Sequence, residues 1–344
     1  MAQKLSIGIV GLPNVGKSTL FKLLTDQDVT IANYPFATID PNVGIVPVPD
    51  ERLDKLAELS RSKKKIPAVV EFYDIAGLVK GANKGEGLGN QFLSHIRGTQ
   101  AIVIVLRAFK DPEIVHIENS VDPLRDLEII NTELILKDLE AVERRFAKLE
   151  AEARSGKKEA SHDMETVAKL KKFLEEGKLP VGDRPLVKEI ADNERLGDLN
   201  LLTLKRQIYL LNGTAADVPP ELIAKIKELG ADHLVADLSS AGVGKSEVPV
   251  LVKEAYKVLD LISFFTTGED ETRAWTIVRG TKAPQAAGVI HTDFEHKFIR
   301  LEVVECAKLL EAGGWAKTKQ KGWLRVEGKE YEVKDGDVLE VRHG

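Results

Sequence analysis

An α/β fold built on a parallel sheet, with a helical hairpin set into it and a small α+β unit after it, is the fold class that this sequence predicts. Three observations predict it. An apolar run from Leu5 to Val10 leads into Gly11-Leu-Pro-Asn-Val-Gly16-Lys17-Ser18-Thr19 and then into a helical pattern through Leu20, Phe21, Leu23 and Leu24. Ala101 to Leu106 is apolar at every position, the mark of a strand buried on both faces. Near Asp126 the pattern changes to helical steps, and from about Leu261 it changes again to short alternating strands.

The elements follow in order. The glycine loop joins the first strand to its helix. A polar, Pro- and Asn-rich segment, Asp26 to Pro49, reads as loop. Pro67 to Asp74 reads as a strand ending on an acid, and Gly77 to Gly89 holds five glycines, too many for a regular element. Leu139, Val142, Phe146, Leu149 and Ala153 recur at steps of three and four, and Met164, Val167, Leu170 and Leu174 do so after a polar break. This pair reads as a hairpin inserted at about 126–200, a short antiparallel coiled coil; two ordinary helices packed on the core are the competing arrangement. Strands are then expected at Arg206–Leu211 and His233–Leu238. In the last unit they are expected at Thr276–Val278, Phe298–Val304, Lys329–Val333 and Val338–Arg342.

Composition narrows the class of function. A net charge of −5 argues against a polycation made for nucleic acid, although lysines cluster at Lys63–Lys65, at Lys169, Lys171 and Lys172, and at Lys317, Lys319 and Lys321, where RNA could be met locally. The lone Cys306 leaves no intramolecular disulfide and fits a reducing compartment. No stretch approaches the ~20 apolar residues of a membrane span. Met1 runs almost directly into the first strand, so no signal peptide is expected and the cytoplasm is the expected location.

The chemistry is carried by the glycine loop, which fits G-x-x-x-x-G-K-[ST]. Its backbone N–H groups, those of Asn14, Val15, Gly16, Lys17, Ser18 and Thr19, converge on phosphate at a helix N-terminus. Lys17 reaches the β- and γ-phosphates, and the Ser18 hydroxyl is placed for Mg²⁺. Asp74-Ile-Ala-Gly77 ends a strand with an acid that can hold Mg²⁺ through water and a glycine whose N–H can approach the γ-phosphate. Between them, Thr38 in a polar loop can close the Mg²⁺ shell. The set describes a Mg²⁺-dependent triphosphate switch with two loops ordered by the γ-phosphate.

Gly11–Thr19, Tyr34-Pro-Phe-Ala-Thr-Ile-Asp-Pro-Asn42, Asp74-Ile-Ala-Gly-Leu-Val-Lys-Gly-Ala82 and Gly85-Glu-Gly-Leu-Gly-Asn90 together resemble the Obg-type, translation-factor-related P-loop GTPases. Within them the match is to the YchF or Obg-like ATPase subfamily, over nearly the whole chain. The resemblance implies a G domain over residues 1–260, interrupted by the hairpin as a coiled-coil insert, and a TGS-like β-grasp domain over 261–344. The latter rests on Phe264–Gly268, Ala274-Trp-Thr and Val333–Leu339. It also implies ATP hydrolysis coupled to a ribosomal partner, rRNA or ribosomal protein.

Base choice departs from the guanine pattern. The strand ending at Leu211 is followed by Asn212-Gly213-Thr-Ala215, whereas GTPases carry Asn-Lys-x-Asp and the subfamily usually carries Asn-x-x-Glu. Without a carboxylate at 215 the familiar guanine discriminator is missing, which favours ATP and leaves GTP open; the Gly213 backbone could contact the adenine edge. Ser239, Ser240 and Ala241 are expected to pack backbone N–H groups against the base. Ser239 stands where a second phosphate loop would need glycine, which excludes one there.

Leu78 occupies the position of the water-orienting glutamine, so slow intrinsic turnover is expected. His116, His95, a monovalent cation or a ribosomal element could position the water instead, and Lys17 and His116 are the catalytic candidates. An ATP-driven ribosomal switch leads. A GTPase of ribosome assembly and a nucleotide-gated adaptor for a protein partner are the alternatives, with a monomer and neither DNA nor membrane expected.

Overall fold

Strands that are apolar on both sides must be covered on both sides, and this rule builds the centre of the molecule. The computed structural model describes residues 6–25, 42–74, 96–238 and 244–344. In chain order the elements are β1 (Ser6–Val10), α1 (Lys17–Thr25), β2 (Val43–Pro47), α2 (Glu51–Ser60), β3 (Lys64–Ile66), β4 (Val69–Asp74) and β5 (Ala101–Arg107). Helices α3 (Pro123–Arg154), α4 (Lys158–Glu175), α5 (Arg184–Asp192) and α6 (Glu194–Gly197) follow. They lead to β6 (Arg206–Asn212), α7 (Pro220–Glu228), β7 (Asp232–Ala236) and α8 (Gly244–Val258).

The first sheet has the order β2-β4-β1-β5-β6-β7. All its neighbours run parallel except β2, which lies antiparallel on β4. Every residue of β1 and β5 is buried. Parallel register brings the carboxyl ends of β1, β4, β5 and β6 to one edge, with Asp74 beside Ile9 and Asn212 beside Arg107. Loops that leave such an edge are where ligands bind in α/β sheets.

The predicted hairpin forms. Asp122 caps α3 by accepting from the Arg125 N–H, and Pro123 fills the first turn, where no intrahelical donor is needed. After a turn at Ser155–Lys157 the chain returns as α4. Val142, Leu149, Val167, Leu170 and Leu174 are buried between them, with Leu186, Ile190 and Leu196 of α5 and α6 closing a cluster separate from the sheet core. At the root of the hairpin the buried Asp138 accepts from the Thr203 N–H at 2.7 Å and from its hydroxyl at 2.8 Å.

The C-terminal residues add β8 (Leu261–Thr267), β9 (Glu271–Val278), α9 (Ala283–Ile290), α10 (Thr292–His296), β10 (Phe298–Glu305), α11 (Cys306–Ala312), α12 (Trp315–Gln320), β11 (Arg325–Glu327) and β12 (Asp337–His343). Their sheet has the order β11-β10-β12-β8-β9-β3. Ala283, Ala286 and Ala287 of α9 pack on Phe264, Leu301, Val303 and Leu339.

Three departures from the sequence reading stand out. The segment read as loop up to Pro49 contains β2. The Lys63–Lys65 cluster includes β3, an edge strand of the second sheet, with Lys63 paired to Asp270 at 3.0 Å and Lys65 to Asp54. The strand expected at Lys329–Val333 is reduced to an isolated bridge, Lys282 to Glu332, because its backbone bonds go to the turn at Thr281–Ala283.

Candidate nucleotide site

At the carboxyl edge of the first sheet the chain leaves β1 through the glycine loop. Gly11 cannot carry a side chain: a Cβ there would lie 2.7 Å from the Val105 carbonyl oxygen. Gly16 has φ +107, a region that L residues rarely enter, and its Cβ would lie 2.4 Å from the Asn212 amide nitrogen. Asn14 adopts φ 61, as asparagine tolerates, and its Nδ2 donates to the Val115 carbonyl at 3.1 Å. The loop thus delivers Lys17 to the first turn of α1, with Ser18 and Thr19 exposed to a cleft of about 470 Å³.

Lys17 is buried, and its Nζ donates to the Leu12 carbonyl at 2.7 Å. Burial lowers its pKa to about 8, against the opposing field of Asp74. The Asp74 carboxyl is pushed up by burial and pulled back by Lys17. A phosphate entering this cleft would restore the charge on the ammonium that burial now disfavours.

The far end of the cleft is lined by Phe109, Lys110, Asp111 and Ile114 from the loop after β5, and by Gly213, Thr214, Asp217, Asp237 and Leu238. Asn212 sits between the two ends. Its Nδ2 donates to the Val15 carbonyl at 2.9 Å, and its Oδ1 accepts from the Leu238 N–H at 3.1 Å.

Residues 6–140 match the family model of the 50S ribosome-binding GTPases, and residues 261–344 match the YchF-GTPase C-terminal model, whose description is a protein of unknown function. The chain is 46% identical to the ribosome-binding ATPase YchF of Bacillus subtilis (strain 168), over 98% of this chain and 99% of the relative. It is 45% identical to the Obg-like ATPase 1 of Oryza sativa subsp. japonica, over 97% and 91%. The chain belongs to the YchF family. Its fold agrees: the structure of the Schizosaccharomyces pombe YchF GTPase superposes with a TM-score of 0.82 at 38% identity, over 99% of this chain and 98% of the other.

Within this YchF-family chain, Asn14, Gly16, Lys17, Ser18, Thr19, Asn212 and Gly213 line one cleft; Val15 is buried outside that lining, with its carbonyl held by Asn212. Gly213 requires one correction. Its N–H donates to the Ala236 carbonyl at 3.0 Å, so of its two backbone groups the carbonyl, and not the N–H, is left to meet a base edge. Thr38, Gly77, Leu78, His95, Ser239, Ser240 and Ala241 lie outside the described residues.

His116 requires a larger correction. Its Nδ1 accepts from the Glu118 N–H at 3.1 Å, which puts the ring proton on Nε2, 2.8 Å from Asp126 Oδ2. Both nitrogens are spent, and the ring is buried and absent from the cleft lining. His116 ties the loop after β5 to the start of α3 and presents nothing to an attacking water.

Two residues escaped the sequence reading. Arg107 closes β5 fully buried, bonded to the carbonyls of Phe109, Asp111 and Ile114 at 3.2, 3.1 and 3.0 Å. An arginine terminating a wholly apolar run, at the sheet edge where ligands bind, was the available signal. Asp217 lines the cleft while its Oδ2 accepts from the Thr214 N–H at 2.9 Å and from the Thr214 hydroxyl at 2.6 Å.

Proposed function

We propose that this chain is a Mg²⁺-dependent P-loop ATPase, hydrolysing ATP to ADP slowly and acting as a ribosome-binding molecular switch, a cytoplasmic monomer. The observation that carries the reading is the two-ended cleft itself. One end is a glycine cradle with a buried lysine. The other is a nucleoside end whose position 215 is alanine, where a guanine-reading carboxylate would stand. The names borne by the Bacillus and Oryza relatives support ATP, and the former supports the ribosome.

The residues fit Mg²⁺. The Ser18 hydroxyl and the Asp74 carboxylate are hard oxygen donors, and a half-buried carboxyl raised by desolvation is a place where an added cation is favourable. Among the described residues there is no cluster of three or more metal-ligating side chains. The remaining ligands would therefore be phosphate and water, with Thr38 as a third protein donor. When bound, Mg²⁺ would neutralise charge on the β- and γ-phosphates. Lys17 contributes the second positive charge, and Leu78 in place of a water-orienting glutamine keeps the intrinsic rate low.

In this reading residues 1–260 form the G domain, the hairpin at about 126–200 is its coiled-coil insert, and 261–344 form a TGS-like unit. The last two offer surfaces to which the occupancy of the cleft can be reported. No helix among the described residues is long and apolar enough to cross a membrane.

One observation favours a second reading, a GTPase: Asp217 places a carboxylate on the wall of the cleft although 215 is alanine. Side-by-side titration with ATP and GTP in Mg²⁺ decides between them. Tighter ATP binding with Mg²⁺-dependent release of phosphate is expected. Selective GTP binding that disappears in Asp217→Ala would install the second reading. Sedimentation with ribosomes in each nucleotide state tests the partner, and no co-sedimentation in any state would sink it.

A further inference from the structure

Arg107 is buried to 1% exposure, and among the described residues no carboxylate pairs with it. A guanidinium taken out of water costs several kcal/mol unless its donors are satisfied, so a hydrophobic side chain would be the cheaper occupant of a purely structural position. Here each of its three nitrogens bonds one carbonyl of the loop after β5, those of Phe109, Asp111 and Ile114. Its carbon centre lies 4.4 Å from the centroid of the Phe109 ring. That loop supplies Phe109, Lys110, Asp111 and Ile114 to the nucleoside end of the cleft. The loop is pinned at its start by the Asn212 carbonyl, which accepts from the N–H groups of Ala108 and Phe109. Arg107 makes no bond to the glycine loop.

We propose that Arg107 is the positioning residue for the nucleoside: it holds the loop wall against which base and ribose rest, and touches the phosphate cradle indirectly, through the exposed bond from the Asn14 amide to the Val115 carbonyl. The inference rests on the reading of the cleft as a nucleoside triphosphate site. The three carbonyls are served by three separate nitrogens spread across the guanidinium, whereas lysine must draw all its bonds to one ammonium nitrogen, so lysine, with the same charge, does not replace it.

The test measures Arg107→Lys and Arg107→Met for ATP and for inorganic triphosphate, both with Mg²⁺, alongside thermal unfolding. ATP affinity is expected to fall about tenfold or more in both variants, while triphosphate affinity stays within about twofold of wild type. Equal loss for both ligands, or unchanged ATP affinity, overturns the proposal. A wild-type chain that binds triphosphate but not ATP would instead overturn the reading of the cleft. Should neither variant fold, two glycines inserted between Glu113 and Ile114, with Arg107 retained, loosen the same wall. The same loss confined to ATP is expected there, and unchanged ATP affinity counts against the proposal.

Discussion

Asn212 and Gly16 occupy each other's space. The Asn212 amide crosses from the end of β6 to hold the Val15 carbonyl and the Leu238 N–H, and any Cβ at Gly16 would lie 2.4 Å from its nitrogen. A residue expected to touch the base therefore also locks the phosphate loop to the loop after β7. Asn212→Ala leaves a buried carbonyl and a buried N–H without partners, at about 1–3 kcal/mol each. Lower thermal stability and weaker binding of ATP and of inorganic triphosphate alike are expected, measured by unfolding and calorimetry. A loss confined to ATP would mean that the side chain serves the base and not the loop.

Gly16→Ala meets the same contact from the other side and adds a backbone at φ +107 that alanine adopts only with strain. Nucleotide binding is expected to fall below detection while the sheet core stays folded. Retained binding would require Asn212 to move aside, and a double variant with Asn212→Gly measures that coupling directly.

Lys17 gives the site a pH signature. Its pKa is near 8 in the nucleotide-free chain because burial disfavours the ammonium, and phosphate charge must raise it in the complex. The complex then holds more protons than the free chain above pH 8, so ATP affinity is flat below about 8 and falls as pH climbs from there toward 10. The same depressed value makes this group's contribution to folding stability rise with pH over that range, opposite in sign to the binding effect. Calorimetry at pH 9 in buffers of different ionisation heat should register proton uptake on binding. Zero uptake would place the lysine fully charged before ATP arrives.

How much of this was legible follows from how far apart the partners lie. The cradle was readable because strand, glycine loop and helix are contiguous, and the hairpin because Leu139 to Leu174 carries its own period. β2 was hidden because what makes Val43–Pro47 a strand is β4, whose apolar edge comes more than twenty residues later. β3 was hidden more deeply, since its partner β9 lies some two hundred residues away and its lysines look like a solvated run. Arg107 and Asp217 carry no periodic signal: one is defined by where three carbonyls turn back, the other by a bond to Thr214. His116 misled because a histidine beside a strand end looks catalytic until the ring's partners, Glu118 and Asp126, are seen.

That assignment has its own test. His116→Ala removes a hydrogen-bond partner of the fully buried Asp126, whose carboxyl burial already pushes up against the pull of His116 and Arg125. A loss of about 1–3 kcal/mol of stability is expected, with turnover per folded molecule unchanged. A reduced rate at unaltered stability would restore the histidine to catalysis.

The hairpin should melt on its own terms. Leu149 and Leu170 belong to a cluster that does not merge with the sheet core; α3 joins the two, with its Leu127, Ile130 and Leu134 in the sheet core, and polar contacts such as Asp138 with Thr203 add to the link. Truncating either leucine to alanine costs about 2–5 kcal/mol, set by how far the cavity collapses. Because the loss falls on one cluster, it should appear as faster amide exchange and proteolysis across residues 139–196, with nucleotide affinity and exchange in β1, β5 and β6 unchanged. If Leu149→Ala accelerated exchange in β5 as much as in α3, hairpin and sheet would be a single cooperative unit. The hairpin could then report the state of the cleft through shared stability and not through contact alone.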